Sequence, residues 1–227
     1  MAHFTDATFD FLFELDVHNS KEWMDENRHR YESDVKQPMF RFVEALAEPM
    51  HKAVSKHLVV VPKIQRGSVF QQHRDTRFSH DKRPYKSNCG ANFRHAMADG
   101  DVAAPGLYLH LEPGNCFMGG GIYRPPNPVL TKIREAVVAD RGAWSRARNS
   151  ATSSGYELGG DSLTRAPRGF DADDPAIEDL RRTSFVVSRR FDDEESLRDD
   201  FLDMYVGWCR ETAPFLRYLC KALAVPF

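Results

Sequence analysis

Residues 107–123 read LYLHLEPGNCFMGGGIY, and this stretch decides the fold. Its first three leucines alternate with polar and aromatic residues, which is the two-residue period of a strand with one apolar face. The Pro113-Gly114 pair that follows supplies the residues that a type II turn requires. The stretch therefore predicts a β-hairpin whose second strand covers residues 115–123.

Helical patterns lie on both sides of this hairpin, because apolar residues there recur every three or four positions. Capping residues mark where these helices start. The predicted helices begin at Thr5 or Asp6, Asn19, Asp34, Asn127 and Ser196. Pro49 is expected to kink or end the third helix, and Pro214 is expected to kink the last one.

The rest of the chain adds two weaker strand candidates, at residues 64–73 and 88–94. Residues 151–160 (ATSSGYELGG) form the clearest loop, but the segment after them is too short to build a core of its own. We therefore predict a single domain over residues 1–227. Its predicted class is α+β, with an antiparallel sheet in the middle of the chain packed with N- and C-terminal helices.

The composition is that of a folded protein. The chain has 227 residues, of which 41% are hydrophobic and 28% charged, so disordered, collagen-like and coiled-coil classes are excluded. A formal charge of −2 disfavours a globally basic nucleic-acid or membrane binder. The four cysteines include no C-x-x-C pair, the N-terminus does not resemble a signal peptide, and no apolar run is long enough to cross a membrane. We expect a cytoplasmic location and no membrane partner.

The small net charge conceals a local imbalance. Residues 63–94 contain eight Lys or Arg against two Asp, a net charge of +6. Residues 171–203 contain five Arg against twelve acidic residues, a net charge of −7. Two solvated surfaces explain this pattern, and so does one patch that docks on the other within the fold.

The densest group of polar side chains is residues 74–86, RDTRFSHDKRPYK, which we call the basic segment. Pro84 restricts its own backbone and that of the preceding residue, which lowers the entropy lost when the segment organises donors around a ligand. Arginine and lysine suit phosphate or carboxylate, and hydroxyl groups add neutral hydrogen bonds. The candidate ligand-binding residues here are Arg74, Arg77, Ser79, Lys82, Tyr85 and Lys86.

An alternative interpretation is that this segment forms internal salt bridges and caps around a turn, since ion-pair networks imitate binding sites. In the anion-pocket interpretation, Asp75 and Asp81 orient the arginines. In the alternative interpretation, the same carboxylates neutralise them. The sequence leaves both open.

A second candidate group lies in the predicted hairpin. Tyr108, His110 and Glu112 share one strand face, where they are suited to acid–base work or to a metal site. No third ligand with recognisable spacing accompanies them, so we predict no metal and no cofactor. The glycines at 119–121 match no phosphate-binding loop and indicate a bulge or tight packing. No residue is identified as catalytic.

The chain resembles an uncharacterised family of bacterial and fungal proteins, domain of unknown function 2461. The resemblance spans almost the whole length, and its most specific part is the ordered motif within residues 74–86. Further matching motifs are Asn19, Trp23 and Tyr31, Tyr108 to Gly114, Gly119 to Tyr123, and Leu163 to Phe170. The resemblance implies that the basic segment and Arg165 belong to one recurrent design, which adds Arg165 to the candidate ligand-binding residues. It implies no reaction.

Three functional hypotheses follow. The first is a site for an anionic small molecule bearing phosphate, sulfate or carboxylate, and such a site would also suit an enzyme of transfer or hydrolysis. The second is a binding module for nucleic acid or an acidic protein segment, which the overall charge disfavours. The third is a structural or interaction domain whose basic segment locks the fold through ion pairs. The sequence leaves the oligomeric state open.

Overall fold

The computed structural model describes residues 2–77, 80–98 and 103–227. A π-helical turn over Tyr31–Lys36 joins the third helix to the fourth. The α-helices are α1 (Asp6–His18), α2 (Lys21–Glu26), α3 (Arg28–Arg30), α4 (Gln37–Ala53), α5 (Asn127–Ala139), α6 (Arg141–Thr152), α7 (Ile177–Leu180), α8 (Asp193–Ser196) and α9 (Phe201–Ala222). The strands are β1 (Cys89–Phe93), β2 (Gly106–Leu111), β3 (Cys116–Ile122), β4 (Glu157–Gly159) and β5 (Phe185–Phe191).

The strands form one antiparallel sheet in the order β1-β2-β3-β5-β4. The predicted α+β class is therefore confirmed, with the sheet in the middle of the chain and helices at both ends. The hairpin β2–β3 is also confirmed, and its turn is closed by the Asn115 N–H, which donates to the Glu112 carbonyl at 2.9 Å. Gly114 has φ +69°, which the third position of a type II turn requires.

The core lies on one face of the sheet, which we call the inner face. Its leucines at 107, 109 and 111 are buried, as the two-residue period predicts. Helices α4 and α9 pack on this face, and their aromatic rings meet there. The ring centroids of Phe42 and Phe201 are 5.5 Å apart, and those of Phe93 and Tyr205 are 6.1 Å apart. The buried apolar side chains form one continuous cluster.

A part-buried hydrogen bond joins α1 to the π-helical turn over Tyr31–Lys36. Pro38 has no N–H, so it cannot donate to the Asp34 carbonyl one turn earlier. The hydroxyl of Thr8, a fully buried side chain of α1, donates to that carbonyl at 2.7 Å. A backbone acceptor that the proline leaves free is thereby satisfied.

Four predicted boundaries need correction. Helix α2 is capped by Ser20, whose hydroxyl accepts from the Trp23 N–H at 3.1 Å, rather than by Asn19. Helix α9 begins at Phe201, because the short helix α8 precedes it where a start at Ser196 was predicted. Of the two outcomes predicted at Pro49, the early end of helix α4 is wrong: the helix continues to Ala53, held by its buried stripe.

The fourth correction concerns the loop predicted at residues 151–160. It contains the end of α6 and the edge strand β4. The weaker candidate at 88–94 is strand β1, whereas 64–73 makes only isolated bridges at Val69 and His73. Within the described ranges, no helix has the length and apolar character needed to cross a bilayer.

Candidate functional site

The basic segment connects α4 to β1 and doubles back on itself. The Arg74 N–H donates to the Pro84 carbonyl at 2.8 Å, and the Lys86 N–H donates to the Gln72 carbonyl at 3.0 Å. These bonds bring the two ends of the segment together beside β1. The segment thus lies at the β1 edge of the sheet.

The arginines of this segment contact carboxylates. Arg74 pairs with Asp81, and Arg77 pairs with Asp75 at 2.7 Å. Arg83, which also pairs with Asp81, reaches Asp16 of α1 at 2.6 Å. Bonds from Arg83 and Arg74 lower the pKa of Asp81, so that carboxylate stays charged.

Tyr85 is fixed through its backbone. The Asn19 side-chain amide donates to the Tyr85 carbonyl at 3.1 Å, and its oxygen accepts the Tyr85 N–H at 3.0 Å. The Tyr85 side chain is buried, with its ring 4.8 Å from the ring of His73. Together with the Arg83–Asp16 pair, this contact anchors the basic segment to the end of α1.

The two lysines of the segment make different contacts. Lys82 is exposed and donates to the Thr76 carbonyl at 2.9 Å. Lys86 is half-buried, donates to the Gln71 carbonyl at 3.1 Å, and lies 4.9 Å from the ring centroid of Phe70. Burial lowers the pKa of Lys86. Among the described residues, no carboxylate forms an ion pair with Lys86.

Two other predicted residues are not brought into this group. Ser79 lies outside the described residues. Arg165 is exposed and follows β4, at the opposite edge of the sheet from β1. No hydrogen bond or ion pair in the described ranges joins Arg165 to the basic segment.

The sheet surface opposite the core, which we call the outer face, adjoins the basic segment. Strand register places cross-strand partners side by side on this face. One row across all five strands is Asn92, Tyr108, Gly119, Ser188 and Glu157. The next row is Gly90, His110, Phe117 and Arg190. The Phe70 ring lies 5.8 Å from the ring of Tyr108 and also contacts Lys86. Phe70 therefore connects Lys86 with the first row.

A hydrogen-bonded chain runs along β2 on the outer face. The Tyr108 hydroxyl lies 2.8 Å from Nδ1 of His110, and Nε2 of His110 lies 3.3 Å from Oε2 of Glu112. The His110 ring stacks on Phe117, with centroids 4.6 Å apart. These contacts confirm the prediction that Tyr108, His110 and Glu112 share one strand face.

Glu112 is further held by neighbouring donors. The Asn115 amide donates to Oε2 of Glu112 at 2.6 Å, and the Ser87 hydroxyl donates to its Oε1 at 3.1 Å. Burial raises the pKa of Glu112, but the bonds from Asn115, His110 and Ser87 outweigh burial and lower it overall. Asn115 in turn accepts from the Arg190 guanidinium at 2.8 Å.

Arg190 also lines a depression of about 370 Å³ beside strands β4 and β5. The lining is Ser154, Gly155, Glu157, Ser188, Arg189 and Arg190. No carboxylate of the described residues pairs with Arg190. Sequence reasoning missed this arginine because it belongs to the acidic segment 171–203, and only strand register places it near His110.

A second depression, of about 600 Å³, lies between α5 and residues 168–174. Its cation Arg141 is paired with Asp174, a buried carboxylate. The acids Glu135, Asp171 and Asp174 outnumber its two arginines, so the local charge of this surface does not favour an anion. The described residues contain no group of three or more His, Cys, Asp or Glu placed to hold a metal ion.

Comparisons with known proteins identify the family. No curated protein and no solved structure matches the chain. The profile of the conserved hypothetical protein family DUF2461 matches residues 7–218. This match covers nearly all of the chain, including the basic segment and every strand of the sheet. The chain therefore belongs to the DUF2461 family.

Proposed function

We propose that the protein binds a small anionic molecule on the outer face, between Lys86 and Arg190. The observation that carries the proposal is that these two cations flank one strip of sheet and that, among the described residues, neither is paired with a carboxylate. Cations without counter-ions at a partly desolvated surface favour an anionic ligand. Phosphate, sulfate and carboxylate share the chemistry that such groups recognise.

The floor of the strip has room for a ligand. Gly119 stands between Tyr108 and Ser188 in the first row, and a Cβ there would meet no atom closer than 3.8 Å. The aromatic rings of Phe70 and Phe117 pack against Tyr108, the neighbour of Gly119 in this row. Apolar walls with a few polar groups are the usual composition of small-molecule sites.

We assign a different role to the arginines of the basic segment. Arg74 and Arg77 each contact an aspartate of the same segment, and Arg83 ties the segment to α1. In this assignment the arginine–aspartate pairs hold the loop in shape, and Lys86 is its ligand-contacting cation. The fold-locking and anion-binding hypotheses then apply to different residues of one motif.

The test is a binding measurement with matched charge removal. A thermal-shift screen with phosphate-, sulfate- and carboxylate-bearing compounds, including inorganic pyrophosphate and citrate, is expected to raise the melting temperature. Calorimetry with pyrophosphate then compares the wild type with the double variant K86M/R190M. Loss of charge-assisted hydrogen bonds predicts an affinity at least about tenfold weaker.

The control variant is K82M/R210M, which removes the same charge from exposed positions off the strip. It is expected to bind pyrophosphate within about twofold of the wild type, since screening weakens distant surface charges. Two results would overturn the proposal. They are a screen in which no anion raises the melting temperature, and an equal loss of affinity in both double variants.

The wild type and the two double variants also test the nucleic-acid hypothesis. An open basic patch would bind single-stranded or duplex nucleic acid with an affinity that falls steeply as salt rises. The proposal predicts no such binding at low salt. Tight, salt-sensitive binding that K82M/R210M weakens as much as K86M/R190M would favour the nucleic-acid hypothesis instead.

A further inference from the structure

The chain Tyr108–His110–Glu112 leaves one atom available to a ligand. Both ring nitrogens of His110 are occupied, Nδ1 by the Tyr108 hydroxyl and Nε2 by Glu112. His110 itself is 8% exposed, whereas Tyr108 is only partly buried. The phenolic oxygen keeps its lone pairs while donating its proton to His110. Glu112 is also partly exposed, but its oxygens are engaged by Ser87, His110 and Asn115, so the phenol is the end of the chain that we assign to a ligand.

The hydrogen bonds define the protonation state of the chain. A charged Glu112 accepts a proton, so Nε2 of His110 carries the hydrogen and Nδ1 accepts from the phenol. Burial lowers the pKa of His110, which keeps the ring neutral near neutral pH, while Glu112 acts in the opposite direction. Of the two cations of the proposed site, Arg190 is the register partner of Phe117, which stacks on His110, and Lys86 is connected to the ring only through Phe70 and Tyr108.

We propose that Tyr108, His110 and Glu112 form a proton relay that removes a proton from a carbon atom of a small anionic substrate. The identity of the substrate as an anion rests on the proposed function, whereas the relay rests on its own hydrogen-bonded geometry. In this proposal Tyr108 is the catalytic residue, because its hydroxyl ends the hydrogen-bonded chain and its side chain is partly exposed. His110 receives the relayed proton, and Glu112 is a positioning residue. The reaction class is isomerisation or elimination through an enolate-like intermediate.

The step balances without a further reactant. The substrate C–H bond breaks, and its proton joins the Tyr108 oxygen while the phenol's own proton passes to Nδ1 of His110. The electron pair of the broken bond stays on the substrate, where Lys86 and Arg190 stabilise the added negative charge. His110 becomes an imidazolium beside the Glu112 carboxylate. Return of the proton to a different substrate atom completes an isomerisation.

A neutral carbon acid tests the relay without using the anion site. The probe is 5-nitrobenzisoxazole, in which removal of the ring C–H proton breaks the N–O bond and releases a yellow nitrophenolate. The wild type is expected to react about 100-fold faster than the Tyr108→Phe variant, which keeps the ring but lacks the hydroxyl. Equal rates for these two proteins at every pH would overturn the proposal.

The pH profile separates a relay from a purely structural role. Protonation of His110 removes the acceptor, so the wild-type rate should fall at acid pH with a midpoint below about 6.5, the ordinary histidine value. Glu112→Gln removes the carboxylate that favours the charged ring, so the midpoint should move to lower pH. NMR titration of His110 gives the same pKa values independently. Unchanged values in Glu112→Gln would contradict the relay.

The two proposals fail in different ways. The off-strip control K82M/R210M should keep the probe rate within about twofold, whereas K86M/R190M should lose the inhibition by pyrophosphate that the wild type shows. If pyrophosphate binds but Tyr108→Phe reacts like the wild type, the relay is wrong and the anion site stands. If the relay signature is present and pyrophosphate has no effect, the anion site is wrong.

Discussion

At the scale of single residues, the basic segment assigns different tasks to similar side chains. Asp75 and Asp81 each stand two positions before an arginine, and each carboxylate bonds both the backbone N–H and the guanidinium of that arginine. Lys86 has no aspartate two positions before it. Short-range sequence spacing therefore accounts for the pairing of Arg77 and Arg83, whereas Arg74 is neutralised by Asp81 because the segment doubles back on itself.

The hydrogen bonds and ion pairs around the buried Asp179 carboxylate yield a stability prediction. Its buried carboxylate accepts from the Trp144 indole at 2.6 Å and from Arg148 at 2.8 Å, and it pairs with Arg182 at 3.3 Å. Asp179→Ala leaves these donors without their acceptor. We expect it to lower the free energy of unfolding by about 3 kcal/mol, measured by urea denaturation.

Glu178 provides the matched control one residue earlier. Its carboxylate is 80% exposed and pairs with Arg181, so Glu178→Ala should change the free energy of unfolding by less than about 0.5 kcal/mol. Equal effects of the two variants would show that the Asp179 network does not stabilise the fold.

At the scale of elements, local patterns predicted the β2–β3 hairpin better than the helix ends, but they did not predict strands β4 and β5. The β2–β3 hairpin follows from its alternation and its Pro-Gly turn, both contained in adjacent residues. The behaviour of α4 at Pro49 depends on tertiary packing instead. Leu46 and Met50 are fully buried on either side of the proline, and that burial offsets the lost backbone bond.

Strand pairing also explains why position 121 requires glycine, which the alternation of buried and exposed residues along β3 does not explain. Gly121 has φ +133°, and a Cβ there would lie 2.1 Å from the Phe185 carbonyl oxygen of β5. Gly121→Ala should therefore lower the free energy of unfolding by about 3 kcal/mol or more, through backbone strain and overlap with β5. Urea denaturation measures the change.

Gly114 is the comparison position for this prediction. It also has positive φ, at +69°, but a side chain there meets nothing within 4 Å. Gly114→Ala should cost only about 1 kcal/mol, the conformational penalty alone. Similar losses for the two variants would mean that the close approach of β3 to β5 is not what requires glycine.

The candidate site was predictable only in part, because one of its residues joins it through the pairing of strands that are distant in the chain. Lys86 stands out within a dense local motif, and Tyr108, His110 and Glu112 stand out through their period along one strand. Arg190 is far from all of them in the chain. It joins them through the pairing of β3 with β5, which no local pattern specifies. Register between distant strands is a property of the packed sheet.

At the scale of the whole molecule, the two faces of the sheet have different roles: the inner face holds the core and the outer face carries the candidate site. Its inner face is buried against α4 and α9, and its outer face carries the partly exposed polar row. Among the residues that the structure describes, no ion pair joins residues 63–94 to residues 171–203. Their cations Lys86 and Arg190 instead border the same outer face.

The most direct test of this account is an NMR titration of the full chain with inorganic pyrophosphate, followed through backbone amide and histidine signals. The account predicts saturable shifts at Lys86, Tyr108, His110, Gly119 and Arg190, all of which K86M/R190M abolishes. Shifts centred on Arg165 or on the depression beside α5, or shifts that K86M/R190M leaves unchanged, would contradict the assignment of the outer face as the binding site.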